Sequence, residues 1–285
     1  MTGKIDAHMH VWRLVRGDYD WLTPDFGALY RDFAIDDAWP EAGRAGVSRV
    51  ILVQAAATAA ETNFLLSIAS GDDRVAGVVG WVDFESSGAA EEVARLALSR
   101  RIVGLRPMIA DLPDPNWILS DAFTPVLEAM TQTGLVFDGH ARHDLIPVMS
   151  RLATRHPELQ IVLNHGGKPQ IATHNLAGWR DDIAELAGHG NVACKLSGLL
   201  TEAGERTDDE AIGEVAAHLG ACFGSDRLLW GSDWPVLTMA GSYAGWAAQS
   251  ERLIAGLFPE SRDEIWGGNA QRIYLKTGGH WIGQA

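Results

Sequence analysis

The residues best equipped for chemistry stand at the end of the first apolar run, where positions 5–10 read IDAHMH. In an extended strand alternate side chains share a face, so Asp6, His8 and His10 are expected side by side. Two imidazoles on one rigid strand suit a divalent metal, because neutral imidazole is a common ligand and a strand leaves little to order. A lone His-x-His pair is more often two hydrogen-bonded core histidines, so the decision rests on the other strand ends.

Those ends are not empty. Gln54, Arg106, Asp138, His140, His165, Lys195 and Asp233 each fall at or near the end of an apolar run. Taken singly, His165 in VLNHGG fits a loop cap, and Asp233 in GSDWP fits the common use of aspartate before proline in a turn. Arg106 and Lys195 are harder to explain away. A cation within an apolar strand costs several kcal/mol unless paired, which implies an anionic partner or a wet pocket.

The elements that would position these groups are eight short runs rich in β-branched residues: 4–10, 48–54, 74–82, 101–108, 134–140, 159–165, 191–198 and 227–235. Continuous apolar runs of this kind fit strands buried on both faces. Between them lie helix-start signals, TAAE at 58–61, TDDE at 207–210 and SRDE at 261–264, each reading as a capping box. Glycines 46, 134, 190 and 224 precede strand runs, where a left-handed turn would end a helix. The pattern predicts an α/β fold, a single-domain (β/α)8 TIM barrel over residues 1–285, whose site lies at the C-terminal ends of the strands. A doubly wound open sheet is the alternative, but the first strand runs into HMHVWR with no glycine until Gly17, so its phosphate-binding turn is missing. Two stretches exceed an ordinary connection: 11–35, expected as a lid-like loop, and 109–118. Their Trp12, Tyr19, Trp21 and Trp117 either wall a pocket, with Trp21 the candidate for substrate contact, or close the barrel top by packing.

Composition narrows the partners. A hydrophobic fraction of 47% supplies a closed core, and a net charge of −14 removes the electrostatic attraction that nucleic-acid binding needs. No apolar run is long enough to span a membrane and the N-terminal residues lack a signal-peptide core, so a cytoplasmic protein is expected. Cys194 and Cys222 imply no disulfide framework and read as packing residues. Nothing in the composition bars a homo-oligomer.

Taken in order, IDAHMHVW, GLRPM, VLNHGGKP, CKLSGL and LLWGSDWP resemble the amidohydrolase superfamily, in particular its amidohydrolase-2 branch containing sugar-lactone hydrolases. The resemblance extends from residue 4 to GGNAQRIY at 267–274, and includes DYDWLTPD in the first loop. It implies that His8, His10 and Asp233 bind one divalent metal ion, zinc or manganese, although some lactonases of the branch work without metal. It also implies that Asp233 is the general base, that His165 lies near the reacting carbonyl, and that Arg106 and Lys195 contact substrate. His140 and Gln54 are added as substrate-binding candidates from their strand-end positions. Arg106 stands where better-known members of the superfamily carry a carboxylated lysine, which argues against a binuclear centre.

The expected substrate is a small sugar-acid lactone. Its hydrolysis needs a water nucleophile, a stabiliser for the tetrahedral oxyanion and a proton for the departing ring oxygen. A lactone isomerase, a metal-dependent decarboxylase and a non-catalytic barrel that binds a sugar acid are the competing readings, the last opposed by so full a set of acids, bases and cations.

Overall fold

The chain, described here by a computed structural model over residues 3–275, folds into eight parallel strands paired in the order β1 to β8. The strands are β1 (Lys4–Met9), β2 (Val47–Val53), β3 (Val75–Gly80), β4 (Ile102–Leu105), β5 (Val136–Gly139), β6 (Ile161–Leu163), β7 (Val192–Leu196) and β8 (Leu228–Trp230). Each of the eight expected runs overlaps one strand. All but β2 are shorter than their runs, because the last residues of most runs leave the ladder to form the mouth. The helices α1 (Ile35–Arg44), α2 (Ala59–Gly71), α3 (Ala89–Leu96), α4 (Thr124–Thr133), α5 (Ile146–Arg155), α6 (Ala177–Ala187), α7 (Asp209–Phe223) and α8 (Tyr243–Leu257) surround the barrel, and α9 (Asn269–Ile273) follows it. This is a single-domain (β/α)8 barrel.

Two cores hold it together. Inside the barrel, Ile51, Val53, Val79, Val103, Val136 and Val162 pack with Ala270, Ile273 and Tyr274 of the segment at α9. Asn269 of that segment donates to the carbonyls of Ser225 and Leu228, so it covers the N-terminal end of the barrel. The larger core lies between strands and helices. Among the described residues no helix is long and apolar enough to cross a membrane.

Local signals held unevenly. Thr58 does cap α2, accepting from the Glu61 N–H at 3.0 Å, but the Glu61 side chain turns away from the cap. At TDDE the cap is Asp208 rather than Thr207, because the carboxylate accepts from both Glu210 and Ala211. At SRDE the Glu264 N–H meets the Ser261 carbonyl and the chain continues as a π-turn over Glu264–Gly268. Gly46, Gly134 and Gly224 have positive φ, Gly224 with an extended ψ of 178°, whereas Gly190 does not.

The first strand departs from simple alternation at the point that matters most. Asp6 pairs with Val50 and Met9 with Leu52, so Ala7 and His8 together oppose Ile51. This bulge breaks the period of two. His8 and His10 therefore face the mouth, while Asp6 points outward and accepts from Tyr243 of α8 at 2.9 Å, from Ser232 N–H at 2.9 Å and from His8 N–H at 3.1 Å. Burial pushes its carboxyl up to about 6 against these bonds. The expectation that Asp6 shares a face with the two histidines is thus corrected.

The bulge requires space that only glycine leaves. A Cβ on Gly231 would lie 2.9 Å from the His8 Cβ and 3.3 Å from the Ser197 Cβ. We expect Gly231→Ala to cost about 1–3 kcal/mol by overpacking, measured by urea denaturation. A variant as stable as the parent would refute this account of the bulge.

Candidate functional site

The barrel closes where its first and last strands meet, and the closure builds the site. The Asp233 N–H donates to the His8 carbonyl at 2.8 Å and the His10 N–H to the Trp234 carbonyl at 2.7 Å. These backbone bonds hold the Asp233 carboxylate over the two imidazoles. Its Oδ1 lies 3.6 Å from His8 Nε2, 3.4 Å from His10 Nε2 and 3.8 Å from His165 Nε2. The two β1 imidazoles approach to 3.1 Å between their Nε2 atoms.

Both Asp233 and His165 hold left-handed backbone conformations, with φ of 59° and 54°. Such strain in residues other than glycine concentrates at functional sites. His165 is also held by Ser197 Oγ, 2.9 Å from its Nδ1, and by Gly198, whose Cβ would fall 2.5 Å from the same nitrogen. His10 donates through Nδ1 to the Val53 carbonyl at 2.8 Å, which leaves its Nε2 lone pair facing the mouth.

Electrostatics keep the imidazoles neutral and the acid ionised. Burial, then the charge of Lys195, holds His8 well below the usual histidine range, and burial lowers His10 as well. Burial takes His165 down to about 3 despite the attraction of Asp233. Burial favours a neutral Asp233, but His165 and His10 outweigh it and bring the carboxyl to about 2.

His8, His10 and Asp233 together offer three ligand atoms within 4.8 Å of one another. The donor set is chemically right for a divalent ion, since metal binding demands neutral imidazole and ionised carboxylate. The acceptor-only Nε2 of His10 facing Oδ1 of Asp233 is an arrangement that a cation between them would satisfy.

Arg106 and Gln54, each one residue past a strand, clamp one another. Gln54 Nε2 donates to the Arg106 carbonyl at 2.8 Å, and Arg106 Nη2 donates to the Gln54 carbonyl. This leaves Arg106 Nε and Gln54 Oε1 buried with no partner among the described residues, and His140 Nδ1 shares that state. Among the described residues Arg106 forms no ion pair with a carboxylate. A spare buried cation and a spare acceptor at the mouth are suited to a polar ligand.

Lys195 is placed differently from the expectation. It lies within β7, fully buried, with Nζ 2.8 Å from Asp138 Oδ2 and 3.2 Å from His8 Nδ1. The anionic partner implied by a buried cation is therefore Asp138 of β5. Lys195 thus spends its ammonium on Asp138 and His8, whereas the expectation for it was a contact with substrate.

The 11–35 stretch covers the mouth and is fastened. Trp21 donates to the Ala55 carbonyl at 2.7 Å and packs edge-on to Trp12, and Trp12 donates to the Arg31 carbonyl. The buried carboxylate of Glu61 accepts from the Ala55 N–H at 3.0 Å and from Tyr19 at 2.7 Å, with Arg16 at 3.3 Å. Trp12 and Tyr19 are closing residues, whereas Trp21 is half-buried. Trp117 lies elsewhere, stacked on Phe123 in a surface groove with Glu85, Arg151 and Arg155 and with none of the strand-end groups. Cys194 is a packing residue, its thiol pushed up to about 12 by burial.

Sequence reading missed Ser197 and Glu61 as organisers. Ser197 had a signal, a hydroxyl just past β7 and directly before a glycine; Glu61 had none beyond its apparent cap. Replacing Glu61 by alanine orphans the buried Ala55 N–H, at about 1–3 kcal/mol, and leaves the Tyr19 hydroxyl only its bond from Arg16 Nε. We expect Glu61→Ala to speed proteolytic cleavage within 13–31 by more than it speeds cleavage elsewhere, read by mass spectrometry of the fragments. Uniform acceleration would show that Glu61 does not fasten the loop.

A parallel barrel that gathers an ionised acid, three neutral imidazoles and a buried guanidinium at its strand ends is an enzyme of the hydrolytic kind. The model of the amidohydrolase family matches residues 5–276, and the chain belongs to that family. It is 40% identical to an L-fucono-1,5-lactonase of Burkholderia ambifaria over 96% of each chain, and 35% identical to an L-fucono-1,5-lactonase of Burkholderia multivorans over 95% of each. A crystal structure of an amidohydrolase from Burkholderia multivorans with bound zinc superposes with a TM-score of 0.90 at 35% identity, covering 95% of this chain and 98% of that one.

Proposed function

We propose that this protein hydrolyses a sugar-acid lactone to the open-chain acid. The observation that carries the reading is the convergence of one ionised carboxylate, Asp233, with the Nε2 atoms of His8, His10 and His165 inside 3.8 Å. The similarity to two L-fucono-1,5-lactonases supports the substrate class.

In this reading Asp233 takes the proton of the attacking water and returns it to the departing ring oxygen, one group acting as base and then as acid. His165, oriented by Ser197, hydrogen-bonds the carbonyl oxygen as negative charge builds on it. Arg106, Gln54 and His140 take the hydroxyl or carboxylate oxygens of the sugar acid with the donors and acceptors that the protein leaves unpaired. Trp21 walls the pocket and the fastened 11–35 loop keeps bulk water from it. A single divalent ion, zinc or manganese, would be held by His8, His10 and Asp233, and when bound supplies Lewis acidity toward water or carbonyl.

An indicator assay of acid release against a panel of aldonolactones, with chelation and with zinc or manganese restored, tests the reading. Acid from at least one lactone is expected, and its loss and recovery with metal would tie turnover to the ion. No acid from any lactone, with lactone isomerised or carbon dioxide released instead, overturns it in favour of an isomerase or a decarboxylase. Asp233→Asn is expected to lower kcat by about 100-fold or more with KM nearly kept; near-parental turnover would remove Asp233 from the proton transfers. Arg106→Gln should mainly raise KM, by about tenfold or more as a charged hydrogen bond is lost, and an unchanged KM would take Arg106 out of binding.

A further inference from the structure

Beneath the mouth lies a buried polar chain that the proposed reaction does not use. Asp138 accepts from Lys195 Nζ at 2.8 Å, from the Tyr274 hydroxyl just past α9, and from Asn164 Nδ2. A carboxyl group that receives three donors is held as the carboxylate. Facing that anion, Lys195 is an ammonium with three hydrogens to give and no acceptor.

The polarity of the chain follows from this. Besides Asp138, Lys195 Nζ meets His8 Nδ1 at 3.2 Å, and that nitrogen must accept. A neutral His8 then carries its hydrogen on Nε2, toward the mouth. There it meets the Nε2 of His10 at 3.1 Å, which is free to accept because the hydrogen of His10 is committed through Nδ1 to the Val53 carbonyl. Donors and acceptors alternate correctly from Tyr274 to Val53.

His8 therefore has the opposite backing from His10. A metal-ligating histidine ordinarily donates its second ring N–H to a carbonyl or carboxylate, which frees the other nitrogen for the ion. His10 is built this way and His8 is not: ligation through His8 Nε2 would turn its Nδ1–H against an ammonium. We infer that Lys195, clamped by Asp138 and Tyr274, is a positioning residue that holds His8 as an Nε2–H donor toward the mouth and so weakens, without abolishing, its grip on a divalent ion there. The inference does not depend on the lactonase reading, and its test uses no lactone, so the two fail separately.

The experiment is long-range proton–nitrogen correlation on the metal-stripped, 15N-labelled full chain, with the His8 signals identified by their loss in His8→Asn. An Nε2–H pattern for His8 is expected, and an Nδ1–H pattern in the parent chain overturns the inference without any variant. The pair Asp138→Asn with Lys195→Met leaves no lone buried charge. It should abolish the preference for Nε2–H and tighten zinc binding, by competition with a chelating dye, about tenfold or more. Tyr274→Phe should change both in the same direction by less, and it stands in if the paired variant does not fold. A purely structural role for the clamp would lower thermal stability and leave both the His8 pattern and the zinc affinity unchanged, which would refute it.

Discussion

The seam between β8 and β1 is the constraint on which the rest depends. A parallel barrel must join its last strand to its first, and here the joint consists of a few backbone bonds, among them Asp233 N–H to the His8 carbonyl and His10 N–H to the Trp234 carbonyl. The residues that close the barrel are the ones that bear the acid and two of the imidazoles. Folding and site assembly are thus one event: a chain that failed to join its ends would also separate Asp233 from His8 and His10 by the width of the barrel.

Around that seam the protein sets polar groups in a low-dielectric interior and settles nearly all of them. Asp6 receives three donors on the outer side of β1, and Asp138 receives three inside the barrel. Buried polar networks of this kind are costly when incomplete and rigid when complete. The exceptions are instructive. Of the eight buried side-chain atoms without a hydrogen-bond partner among the described residues, Arg106 Nε, Gln54 Oε1, His140 Nδ1 and Asn164 Oδ1 belong to strand ends. At the mouth a ligand could supply the missing partners, and beneath it the mutually bonded Asp138, Lys195 and Tyr274 hold the floor.

Much of this was legible without coordinates. The eight apolar runs marked eight strands, and polar residues interrupting them marked the mouth, because an apolar strand tolerates a charged or imidazole side chain only where something satisfies it. What stayed hidden depended on register and depth. His8 and Asp6 are two residues apart and were expected on one face; a bulge, which leaves no mark in IDAHMH, sent them to opposite sides. Lys195 and Arg106 both looked like strand-end cations, yet one is inside β7 and the other just past β4. That shift of a residue or two separates a cation paired with Asp138 from one whose Nε has no partner among the described residues. Trp117 and Trp21 were equivalent in composition, and only the packing of their loops set one on an outer groove and the other beside Ala55.

By itself the amino-acid sequence determined the barrel, the identity of the acid, the histidines and the cations, and the family to which they belong. These follow from hydrophobic pattern and residue type, which are local properties of the chain. The tertiary structure alone decided which ring nitrogen faces which partner, which carboxylate neutralises Lys195, and how closely Asp233 approaches three imidazoles. Those are contacts between strands remote in sequence, governed by register, a bulge and the closure of the barrel, and no pattern along the chain carries them.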